Sequence, residues 1–90
     1  MKTILWNPEK NEKLKRERGV SFDEALHHIE QDDLIGITAH PHQERYPGQQ
    51  MYIIRMRDYV YLVPYIETED KIFLKTIIPS RKAVRRYKNG

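Results

Sequence analysis

The segment MYIIRMRDYVYLVPYI, from Met51 to Ile66, decides the fold because its apolar residues alternate with a period of two. Tyr59, Tyr61, Val63 and Tyr65 share one face, and Val60, Leu62 and Ile66 share the other. The pattern predicts strands over Met51–Arg57 and Tyr59–Ile66, joined by a tight turn at Arg57-Asp58. Pro64 has no N–H to donate, which places a bulge or a sheet edge at that end. Glu67–Asp70 reads as a polar turn, and Lys71–Ile78 as a further strand whose Lys71, Phe73, Lys75 and Ile77 make one face mixed and cationic. Upstream, Leu34–His40 reads as a strand and Pro41–Gln50 as a loop carrying two prolines and Gly48.

Before residue 34 the period is helical. Met1–Trp6 supplies a short strand, and Asn7-Pro8 starts a helix: asparagine caps free N–H groups and proline fits the first helical position. That helix should stop at Gly19, with Glu9/Lys13 and Glu12/Arg16 paired along it. Ser21 and Glu24 form a capping box for a second helix, with Phe22, Ala25, Leu26 and Ile29 on its buried stripe. Ser80 caps a last helix in which Ala83, Val84 and Tyr87 can face the sheet. The expectation is an α+β fold: two N-terminal helices on a twisted antiparallel sheet of about four strands, with a short C-terminal helix. Ninety residues make one domain, 1–90, with a thin core.

Charge is segregated. Glu9–Arg18 holds five Lys/Arg against three Glu, whereas Arg81–Lys88 holds five basic residues and no acid. The net charge is +3, and such a field steers a polyanion or an acidic protein toward one face. The chain contains no cysteine, which excludes disulfides and thiolate chemistry. No apolar run approaches the roughly 18 residues of a membrane span. Nor does Ile4–Trp6, cut short by Asn7-Pro8, make a signal peptide. A cytoplasmic protein with no membrane partner is expected.

The loop His40-Pro41-His42-Gln43-Glu44-Arg45-Tyr46 packs two imidazoles, a carboxylate, a guanidinium and a phenol into seven residues. RNA cleavage without metal needs a base for the 2′-hydroxyl, cations for the phosphorane and an acid for the leaving oxygen. His42, Glu44 and Arg45 are the candidates there. His40 and His42 also read as solvent-exposed loop residues, Glu44-Arg45 as a local ion pair, and Tyr46 as a packing anchor. No metal or other cofactor is implied by the spacing. Arg81, at the start of the last helix, is the fourth catalytic candidate, since a guanidinium fork holds phosphate. Lys75, Lys82 and Arg85 would hold the RNA backbone, with Tyr61 and Tyr87 as aromatic contacts.

Trp6-Asn7-Pro8 with Lys10, followed by Gly19-Val20-Ser21-Phe22-Asp23-Glu24-Ala25, resembles the opening of BrnT-type toxins. Glu44-Arg45-Tyr46 looks like the family's loop motif, and Ile77-Ile78-Pro79-Ser80-Arg81-Lys82-Ala83 like its closing strand-to-helix motif. Asn7 stands where the family usually has aspartate, and Arg18 where it usually has histidine. The resemblance implies a RelE-like ribonuclease fold and a metal-independent endoribonuclease toxin. Its partners would be RNA, free or on the ribosome, and a small antitoxin encoded beside it, in a higher-order toxin–antitoxin complex. A non-catalytic RNA- or protein-binding module on the same scaffold is the alternative.

Overall fold

The hairpin forms as read in a computed structural model, which describes residues 2–31 and 33–87; Lys88 of the basic C-terminus lies outside them. In chain order the elements are β1 (Thr3–Trp6), α1 (Pro8–Arg18), α2 (Phe22–Glu30), β2 (Leu34–Ala39), β3 (Gln50–Met56), β4 (Tyr59–Glu67), β5 (Lys71–Leu74), β6 (Ile78–Pro79) and α3 (Arg81–Tyr87). Arg57 and Asp58 both adopt positive φ, 56° and 59°, the geometry a two-residue hairpin needs to match strand twist.

The fold is α+β, but the sheet is larger than expected and mixed. Six strands take part, in the order β1-β5-β4-β3-β2, with β6 beside β4. β1 runs parallel to β5, pairing Thr3 with Lys71 and Leu5 with Phe73. The single strand expected over Lys71–Ile78 is split in two, and Pro64 supplies the reason. Its carbonyl accepts from Lys75 N–H, so the side of Pro64 that lacks a donor faces this strand. The ladder fails there, Thr76 and Ile77 step out of it, and pairing resumes at Ile78 opposite Leu62; the break turns Ile77, expected on the Phe73 face, into the core with Leu74.

The N-terminal helices start and stop as their residues dictate. Asn7 accepts from Glu9 and Lys10 N–H, and Gly19 closes α1 at φ 68°. Ser21 Oγ accepts from Glu24 N–H, but the reciprocal half of the capping box is missing. The Glu24 carboxylate instead accepts from Arg57 Nε across the hairpin turn. The ion pairs expected along α1 are also replaced: among the described residues, only Glu12–Lys15 forms within that helix. Buried Asn11 ties the two helices together, accepting from Phe22 N–H and donating to Asp23.

The two sheet faces are packed differently. Leu14, Val20, Phe22 and Ala25 bury against Tyr52, Ile54, Met56, Val63, Tyr65, Leu74 and Ile77 on one face. Trp6 stacks on Phe22 at 5.7 Å, and Tyr52 on Tyr65 at 4.1 Å. The opposite face holds a smaller cluster of Ile53, Val60 and Ala83, with Ile35, Leu62, Val84 and Tyr87 around it. α3 therefore covers only part of its face. No described helix is long and apolar enough to cross a membrane.

Candidate nucleic-acid interface

The loop between β2 and β3 is a built structure. His40 N–H bonds Gln49 carbonyl, closing the loop at its base. Inside it, the Gln43 amide donates to the carbonyls of His40 and Gln49 and accepts from Gly48 N–H. Gly48 sits at φ 77°, a conformation that favours glycine. His42 carbonyl accepts from both Arg45 and Tyr46 N–H, winding residues 42–46 into a helical turn. The Tyr46 ring lies 4.5 Å from the His40 ring and stays 37% exposed, outside both apolar clusters.

This scaffold gives the histidines different roles. His40 Nδ1 accepts from His42 N–H, so neutral His40 carries its proton on Nε2. His42, Glu44 and Arg45 project outward, exposed, around one shallow concavity. The Glu44-Arg45 ion pair considered from the sequence is not made. These three side chains are brought together as expected from their spacing.

α3 brings the second group. Ser80 Oγ accepts from Ala83 N–H, and Arg55 Nη2 donates to the Tyr87 carbonyl, fixing both ends of the helix. With Ala83, Val84 and Tyr87 on the sheet, the roughly 100° step per residue spreads the cations over the solvent half. Lys82 and Arg86 fall on one flank, Arg81 and Arg85 toward the other. The first flank lines a groove shared with Thr38, Pro41, Met51 and Tyr87, and no acidic residue lines it. The groove thus runs between α3 and the start of the histidine loop. Arg81 and Lys82 occupy the first helical turn, where the helix dipole disfavours cations. Helix stability does not explain them.

Lys75 is on this face too, its ammonium 5.4 Å from the centroid of the Phe73 ring. Tyr61 is not. It packs against the cluster under α1 and α2, while Tyr87 packs under α3, so the two tyrosines lie on opposite faces of the sheet. Two aromatics accompany the cations: Tyr87, its ring centroid 5.7 Å from the Arg86 guanidinium, and Phe73 beside Lys75. Sequence reasoning also missed Arg86 and Gln43. Arg86 was signalled by its i,i+4 spacing from Lys82; nothing in the sequence signalled how Gln43 bonds.

No family model, curated protein or solved structure matches the chain.

Proposed function

We propose that the chain is a metal-independent endoribonuclease toxin with a RelE-like scaffold, acting in the cytoplasm and restrained by a small antitoxin encoded beside it. The observation that carries this reading is the acid-free groove between the cations of α3 and the loop presenting His42, Glu44 and Arg45. The resemblance of the opening, loop and closing motifs to BrnT-type toxins points the same way.

In this reading the RNA provides its own nucleophile. The 2′-hydroxyl loses its proton to Glu44 or His42 and attacks the adjacent phosphorus. Arg45 stabilises the charge on the phosphorane oxygens, Lys82 and Arg86 hold flanking phosphates along the groove, and Arg81, on the other flank of α3, adds to the field that draws RNA in. The 5′-oxygen departs with a proton from the loop, leaving a 2′,3′-cyclic phosphate. Incubating purified chain with end-labelled RNA in EDTA tests this. Cleavage should yield cyclic-phosphate ends, and Arg45→Ala should lower the rate by about 10²-fold or more without shifting the melting temperature. Undiminished cleavage by Arg45→Ala, or activity abolished by EDTA, contradicts the mechanism.

The full exposure of His42, Glu44 and Arg45 favours a second reading, a non-catalytic module that holds RNA or a protein intact. Overexpression separates the two: growth arrest relieved by the neighbouring gene supports the toxin, and harmless accumulation supports the module.

A further inference from the structure

Beyond the groove, the α3-side face continues over β4, β5 and β1 with no described element covering it. The register aligns Leu5 with Phe73, and Phe73 with Ile66, so three large apolar side chains form one row across three strands. Ile4, Trp6, Ile72 and Leu74 of the alternate positions are packed under α1 and α2, so this row points the other way. Leu5 and Ile66 remain 40% and 39% exposed, and Phe73 between them is half-buried. The row is an aromatic side chain flanked on each neighbouring strand by an aliphatic one.

Lysines project from its strands, with the Asp70 carboxylate at the turn before Lys71. Lys71 and Lys75 share the Phe73 face by alternation, one on each side of the ring, and the Lys75 ammonium already lies over it. The sole carboxylate on β1, β4 and β5 is Glu67, which alternates to the other face and is held there by Lys2. An exposed apolar row bracketed by lysines matches a flat, apolar-faced group carried on an anionic chain.

We propose that this row binds one unpaired nucleobase of an RNA strand, stacked on the Phe73 ring between Leu5 and Ile66. Lys71 and Lys75 take the phosphates on either side. The assignment rests on the RNA reading above and adds a subsite to it. On binding, the base replaces the Lys75 ammonium over the ring and the ammonium moves to a phosphate. Stacking on one aromatic side chain is sequence-tolerant, so the subsite adds affinity and register with little base preference.

The test is titration of a ten-nucleotide 2′-O-methyl RNA, which cannot be cleaved, carrying 2-aminopurine at one position at a time. Wild-type protein should quench the fluorescence at one position. Phe73→Leu should abolish that quench and weaken binding by about tenfold with the salt dependence unchanged. Lys75→Ala should lower the slope of log affinity against log salt by about one. RNA bound tightly with no quenched position, or equally well by Phe73→Leu, overturns the subsite and leaves the RNA reading standing. Concentration-dependent self-association that Phe73→Leu relieves, with RNA binding unchanged, assigns the row to protein contact and also overturns it. Absence of RNA binding by the wild type removes both. If Phe73→Leu fails to fold, the quench in the wild type decides alone.

Discussion

The face under α1 and α2 and the face under α3 belong to one sheet but use their residues for different ends. On the first, aromatic rings stack on each other and sink: Trp6 on Phe22, Tyr52 on Tyr65. On the second, the apolar cluster is small, Leu5 and Ile66 stay exposed, and lysines and arginines crowd around it. Phe22 and Phe73 make the contrast in one residue type, the first fully buried and the second half-buried beside Lys75. Apolar burial is concentrated on one face, and cations beside exposed apolar side chains on the other.

The largest effect expected from this contrast is on stability. Phe22→Ala should cost about 3–5 kcal/mol in urea unfolding, while Val84→Ala on the opposite face should cost about 1 kcal/mol. Equal losses would show that α3 carries as much of the core as α1 and α2. The reverse should hold for RNA. Lys82→Ala and Arg86→Ala should each weaken binding several-fold and reduce the salt slope by about one, whereas Lys13→Ala on α1 should change neither. A Lys13 variant as impaired as the Lys82 variant would erase the distinction between faces.

Gln43→Ala should cost about 1 kcal/mol by removing three hydrogen bonds to the loop backbone, leaving the Gly48 N–H and the His40 carbonyl without this partner while the Gln49 carbonyl keeps His40 N–H. Its clearer signature would be proteolytic nicking between His40 and Gln49 under native conditions. A loop equally resistant to protease would mean that the backbone bonds alone hold it. Tyr65 gives a test in pH. Burial first, then the neighbouring Tyr52, pushes its hydroxyl from 10.0 up to about 12. Above pH 10 the unfolded chain releases this proton while the folded chain retains it, so stability is complete below pH 10 and declines toward pH 12. Tyr65→Phe should flatten that decline in a pH series of melting curves; an unchanged slope would assign it to other groups. Last, Asp58→Gly should add about 0.5–1 kcal/mol by relieving a side chain held at positive φ.

How much of this was legible follows from how local each cause is. The hairpin, the Asn7 and Ser21 caps and the Gly19 stop depend on residues a few positions apart, and the sequence displays them directly. The parallel pairing of β1 with β5 joins Thr3 to Lys71, and no local pattern encodes it. Pro64 announced a break but not its side, because the orientation of its missing donor depends on register. Glu24 left its capping box for Arg57, a partner 33 positions away. The candidate site divided the same way. His42, Glu44 and Arg45 were readable from seven consecutive residues, and the α3 cations from one helix. Whether Tyr61 or Phe73 joins them depended on which face α3 covers, a tertiary choice. Alternation had already put Phe73 between Lys71 and Lys75.

Amide chemical-shift mapping with the uncleavable 2′-O-methyl RNA, in EDTA, tests the separation of the two faces most directly. The account predicts perturbations confined to α3, the loop from His40 to Gln49 and the Phe73–Lys75 segment. Perturbations centred on α1 and α2, with α3 and the loop silent, would contradict it.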